Sequence, residues 1–126
     1  SVVAGAYCYS TEALRKEEDK RIVAGVWDVE FFKKNYVFPA YSLSQAKSLA
    51  NPLLEVDWLG LGFALVRTEV FEKIEYPWFN SELIVIDDLT DTTSEDVGWC
   101  LKVKRAGYKI FLDPSVKVGH QKNIVI

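Results

Sequence analysis

The stretch SEDVGWCLKVKRAGYKIFLDPSVKVGH, residues 94–120, leaves the chain little conformational choice. Ser94 is a good helix N-cap, because its hydroxyl can accept from the orphan amides of a first turn. Glu95 and Asp96 follow where the helix dipole favours negative charge. Val97, Cys100 and Leu101 recur at helical spacing and supply one apolar face. Lysine and arginine gather towards the end, and Gly107 offers the left-handed stop. A strand is expected at residues 108–112, then a turn at Asp113-Pro114. In SVKVGH, Val116, Val118 and His120 alternate onto one face. A helix that feeds strands in this way belongs to a mixed α/β domain.

The rest of the chain fits that class. Residues 2–9 (VVAGAYCY) are apolar and β-favouring and read as a buried strand. The charge cluster at residues 11–21 reads as a solvated connection. Strand character resumes at residues 22–27, and Asp28 is placed to cap a short helix at residues 29–35. Signal is weak over residues 36–52, with a helix possible in SLSQAKSLA. Residues 63–66 form a continuous apolar run, expected as a strand buried on both faces. Gly60 and Gly62 precede it, where missing side chains let something approach closely. Thr68 is expected to cap the helix TEVFEKI, and Pro77-Trp78-Phe79 ends that unit with exposed aromatics. Residues 80–93 read as an acidic loop with a short strand at residues 83–86.

The composition excludes several function classes. A length of 126 residues suits one domain with its own core. The hydrophobic share of 49% and aromatic share of 13% argue for a packed fold rather than disorder. Net charge is only -3, and no basic run is interleaved with aromatics, so no nucleic-acid partner is expected. Cys8 and Cys100 lie far apart with no metal-knuckle spacing, which suits a reducing, cytoplasmic setting. No membrane segment is expected in this chain, since no apolar run approaches the roughly 20 residues of a span.

Chemistry centres on a few side chains. An acid in a first helical turn stabilises a helix by a few tenths to about 1 kcal/mol without further purpose. An ionised Asp96 can equally take a proton from a hydroxyl at neutral pH. His120, the single histidine, could ligate a divalent metal. Asp87, Asp88, Asp91, Glu95 and Asp96 could add oxygen ligands for Mg²⁺ or Mn²⁺, although a solvated acidic loop is the commoner arrangement. Gly60-Leu61-Gly62 is not a phosphate loop, because nucleotide-binding glycines follow a strand and open a helix. Trp58, Trp78 and Trp99 offer planar faces that either stack on sugar rings or fill the core. A serine or cysteine nucleophile is disfavoured, because no second histidine exists to serve it.

Taken in order, VDWLGLGFALVRTEVFEKI, then PWF, then the block at residues 94–120 resemble the C-terminal half of family 2 glycosyltransferases with the GT-A fold. The resemblance covers residues 56–120, and VVAGAYCY resembles the strand just upstream. It implies a partial, GT-A-like (Rossmann-like) α/β fold: a mixed sheet flanked by helices, lacking the N-terminal nucleotide-binding half. Residues 1–126 would then be a single acceptor-side domain. The implied activity is inverting, hexosyltransferase-like transfer from a nucleotide-sugar donor to the hydroxyl of a sugar or glycan acceptor. Asp96 matches the catalytic base and Glu95 its neighbour near the acceptor. Trp58, Gly60 and Gly62 match the segment near acceptor and donor sugar, with Trp78 and Trp99 as further substrate-binding candidates. His120 matches the histidine that completes a metal–diphosphate site with Mn²⁺ or Mg²⁺.

The family's Asp-x-Asp is expected upstream of Ser1, and none occurs in this chain. The chain by itself is therefore expected to have little transferase activity. Open sheet edges would favour self-association. The alternative reading is a non-catalytic carbohydrate- or protein-binding module built on the same half-fold.

Overall fold

The computed structural model describes residues 2–9, 12 and 15–119. Strand β1, Val2–Ala6, is a run of small and β-branched residues, and Val2, Ala4 and Ala6 are all buried. It lies inside a four-stranded sheet of order β4-β9-β1-β6, where β4 is Leu54–Val56, β6 is Ala64–Val66 and β9 is Ile110–Lys117. β1 runs parallel to β9 and antiparallel to β6, while β4 is antiparallel to β9. A second, antiparallel sheet has the order β3-β2-β5, from Ala40–Ser42, Arg21–Gly25 and Trp58–Leu59. A hairpin of β7, Leu83–Ile86, and β8, Leu89–Thr92, turns at Asp87-Asp88, with Asp87 at a φ of 53°.

The two larger sheets meet at Val23. Its N–H donates to the Tyr7 carbonyl, and its own carbonyl accepts from Gly60 N–H, both at 2.9 Å. The N–H and C=O of one strand residue serve the same edge, so that edge of β2 is shared by residues 7–9 and by β5. Beyond Val23 the partners change: Gly5 N–H donates to Phe63 O at 3.0 Å, where β6 begins to pair with β1. Residues 60–62 are thus a crossover between sheets.

Among the described residues, four α-helices cover this framework. Helix α1, Val29–Asn35, is capped by Asp28, whose carboxylate accepts from Phe31 N, as its sequence position predicts; such a cap contributes about 1 kcal/mol. Helix α2, Leu43–Leu49, begins in a reciprocal capping box of Ser42 and Gln45. Helix α3 is Thr68–Lys73, and α4 is Glu95–Arg105. Ser94 caps α4, and Gly107, at a φ of 91°, ends it. One apolar cluster runs from β1 and β9 through Trp58 and Leu59 to Val70, Trp99, Cys100 and Val103. Among the described residues no helix is long and apolar enough to cross a membrane.

Several expectations change. The apolar run at residues 63–66 is not buried on both faces: β6 is an edge strand, with Phe63 58% and Leu65 80% exposed. Thr68 is the first residue of α3, not its cap; Arg67 occupies that position without a side-chain bond. β8 is an additional strand within the acidic loop. Nor does Asp113-Pro114 end a strand. β9 continues through it, with the pairing jumping from Gly5–Asp113 to Ala6–Lys117. The turn chemistry survives as a bulge, in which the Asp113 carboxylate accepts from Ser115 N–H at 3.0 Å and Oγ at 2.6 Å.

The charged connection is not wholly solvated either. Glu12 is 1% exposed. Its Oε1 accepts from Arg21 Nε and Nη2 at 2.9 and 2.8 Å, and Arg15 Nε stands 2.9 Å from Oε2. A buried carboxylate needs such partners. The Arg21 bonds hold its carboxyl below the ordinary value of 4.5. A depressed pKa means stability that is full above the unfolded-state value and is lost as pH falls through the folded one. Acid unfolding should therefore steepen below about pH 4.5, and Glu12→Gln should lower the neutral-pH melting temperature and flatten that acid limb. An unchanged acid limb in Glu12→Gln would show that this cluster carries no linkage.

Candidate active site

The first turn of α4 abuts the crossover between sheets. Asp96, half-buried, accepts a hydrogen bond at Oδ2 from Leu61 N–H at 3.1 Å. One turn on, the Cys100 thiol donates to the Leu59 carbonyl at 3.6 Å. Burial pushes this thiol up to about 12, so it stays protonated at neutral pH. Glu95 is exposed at the same helix start.

Tyr7 is the part of the site that pattern reading missed. It follows β1 and meets the glycines on the edge of β2 that the two segments share. A Cβ at Gly60 would lie 1.8 Å from Tyr7 Oη and 2.9 Å from Val23 Cγ1; one at Gly62 would lie 3.1 Å from Tyr7 Cε1. The space that glycine leaves at 60 and 62 is filled by the tyrosine. Burial, then the Asp96 carboxylate, raise the Tyr7 phenol above its usual 10.0, against the Gly62 backbone hydrogen bond that lowers it. Only the glycines signalled this in the sequence, and they did not name their partner.

Beside this junction, a cleft of about 230 Å³ is walled by Tyr9, Trp27, Tyr36 and Phe38, with Asp91 and Ser94 among its polar groups. Ser94 and Val97 bring the cleft to the turn that carries Asp96. Trp27 and Phe38 meet edge to face at 4.4 Å, and Phe38 stacks on Phe32 at 4.7 Å, which stiffens that wall.

The tryptophans separate. Trp99 is 0% exposed and stacks on Phe79 at 5.9 Å, so it is a core residue with no face for a sugar. Trp58 is 5% exposed; its Nε1 donates to Val26 O at 3.4 Å, and it is among the residues that line the cleft. Burial thus leaves Trp99 without a stacking surface and Trp58 at the cleft with little of its ring exposed. Trp78 remains at the surface, edge-on to Phe71 and Tyr76. Its loop is tied to α4: Lys102 Nζ donates to the carbonyls of Glu75 and Pro77 and to Asn80 Oδ1.

The acids do not assemble into a cation site. Asp87 pairs with Lys33 at 2.8 Å, and Asp91 accepts from Thr92 N–H, while Asp96 is turned to Leu61. Among the described residues no three His, Cys, Asp or Glu side chains are grouped to hold a metal. His120 lies outside the described residues.

If Asp96 and Tyr7 share one electrostatic environment, removing the charge should move the phenol. In Asp96→Asn, the Tyr7 resonance of a Cζ-labelled chain should titrate at lower pH than in the parent, towards 10.0. An unmoved Tyr7 titration, with the other five tyrosines as internal controls, would separate the two residues.

Comparison with protein-family models, with curated proteins and with solved structures gives no match. The chemistry of the site rests on its own geometry.

Proposed function

We propose that this chain carries the acceptor side of an inverting, GT-A-like sugar transferase, with Asp96 as its general base. The observation that carries the reading is the Asp96 carboxylate, fixed by Leu61 N–H at 3.1 Å on a helix start that borders an aromatic cleft. A base must be ionised, anchored and within reach of a bound hydroxyl. Asp96 has the anchor, and its helix neighbours Ser94 and Val97, rather than Asp96 itself, line the cleft proposed to hold the acceptor.

In the proposed reaction the acceptor hydroxyl gives its proton to Asp96 as its oxygen bonds to the anomeric carbon. The bond from that carbon to the nucleotide diphosphate breaks, and the diphosphate leaves with the electron pair. Configuration inverts because attack comes from the face opposite the leaving group. Exposed Glu95 lies beside the acceptor's approach. Gly60 and Gly62 act by admitting Tyr7, and Trp78 offers the remaining exposed indole. A Mn²⁺ or Mg²⁺ ion served by His120 belongs to the proposal through the family resemblance alone. The described acids do not gather to fit it, and no step here runs through it. The nucleotide-sugar donor and the sugar or glycan acceptor are proposed partners. With Cys8 and Cys100 both free thiols, we place the protein in the cytoplasm.

The aromatic cleft also favours the second reading, a carbohydrate-binding module without chemistry. One substitution separates them. Expressed in its complete natural reading frame, Asp96→Asn should reduce sugar transfer by about 10²–10⁴-fold while glycan binding to the cleft persists. Transfer at the parent rate would remove Asp96 from the chemistry. Binding without transfer in the parent protein itself would favour the module.

A further inference from the structure

Asp96 is held by a backbone amide, and a backbone amide is only as well placed as its loop. The amide belongs to Leu61, in the three-residue crossover 60–62, where the chain leaves the edge of β2 and joins that of β1. Such a crossover has lost its ladder partners on one side before gaining them on the other. Gly60 N–H is bound to Val23 O, and pairing resumes at Phe63 O with Gly5 N–H. Between these points the Tyr7 side chain packs against both glycines of the loop, joined at Gly60 by Val23 Cγ1. Its Oη lies 1.8 Å from where a Gly60 Cβ would stand, and its ring 3.1 Å from that of Gly62.

We infer that Tyr7 is the positioning residue for Asp96: packed against Gly60 and Gly62, it holds the crossover so that Leu61 N–H meets the carboxylate. The path is continuous through contacts. Tyr7 is anchored by its own backbone, since its carbonyl accepts from Val23 N–H at 2.9 Å. Its side chain fills the glycine spaces, and Leu61 between them carries the bond to Asp96 Oδ2. The groups facing Tyr7 agree. Asp96 and Cys100 of α4 both act on its phenol, and Tyr9 stands next to it. The functional meaning of this device rests on Asp96 as base; the mechanical coupling does not.

The test reads the Leu61 amide by NMR in this chain, so it is independent of transferase activity. Asp96→Asn first defines the signature of a lost charge-assisted bond: an upfield Leu61 amide whose hydrogen exchange is faster by about 10- to 100-fold. Tyr7→Ala should reproduce that signature at Leu61 while amides of α1 keep their parent shifts. Tyr7→Phe, which keeps the ring, should restore most of it. If Tyr7→Ala fails to fold, Gly62→Ala gives the answer on an exposed residue. Its Cβ pushes the Tyr7 ring by a few tenths of an ångström and should shift the Leu61 amide part of the way. A parent-like Leu61 amide in Tyr7→Ala, or in Gly62→Ala where only that variant folds, would overturn the inference. So would a Tyr7→Phe as damaged as Tyr7→Ala. A transferase unaffected by Asp96→Asn would instead remove the base and leave this coupling standing.

Discussion

The structure turns on a register between α4 and the segment leading through β5. Asp96 meets Leu61, Cys100 meets Leu59, and Lys104 Nζ lies 3.0 Å from Asp57 Oδ1. Each step of four along the helix is matched by a step of two along the extended chain, in the opposite direction. Four helical residues rise about 6 Å, and two strand residues span roughly 6.6 Å, so the two repeats stay in phase over two turns. One helix face therefore reads out an extended backbone at three successive points. Asp57 also accepts from Trp27 N–H at 2.8 Å, which brings the start of α1 into the same arrangement.

That register sets which side of α4 meets the crossover and which fills the core. The face bearing Asp96, Cys100 and Lys104 addresses the junction between sheets. Trp99 and Val103 are buried in the apolar cluster. Gly98 lets residue 80 cross close by, since a Cβ there would lie 2.2 Å from Asn80 O. An overpacked contact of that kind typically costs about 1–3 kcal/mol. The aromatic loop bound by Lys102 is thus held to the helix at two points, and the proposed base sits on a well-anchored element.

What the sequence disclosed was local, and what it concealed was long-range. Ser94, the acidic first turn and Gly107 delimit α4 because caps act within a few residues; Asp28 and α1 are legible for the same reason. The run at residues 63–66 misleads because an apolar strand declares its composition, not its place at an edge. β8 was missed because Leu89–Thr92 is too polar to read as a strand without its hairpin partner. Glu12 looked solvated until Arg21, nine residues on, was seen to fold back over it. Asp96 could be nominated from its helix, and the glycines from their absence of side chains. Their meeting depended on a contact between residues 61 and 96, and on a tyrosine over fifty positions away from either glycine, a pairing that no local pattern encodes.

The thiol beside Asp96 sharpens the case for a carboxylate site. Cys100 is four residues further along the same face, where a thiolate would add a second negative charge close to the first. Burial instead pushes Cys100 up to about 12, so it remains a neutral donor to Leu59 O. A buried free cysteine of that kind is inert as a nucleophile. Its contribution is to pack α4 against β5 without competing for protons at neutral pH. Tyr7, raised by burial and by Asp96, is likewise neutral there. Both neutral groups therefore stand next to the carboxylate that Leu61 N–H holds. On the proposed reading, a carboxylate anchored by an amide and set beside a neutral thiol and phenol would accept one proton from one hydroxyl.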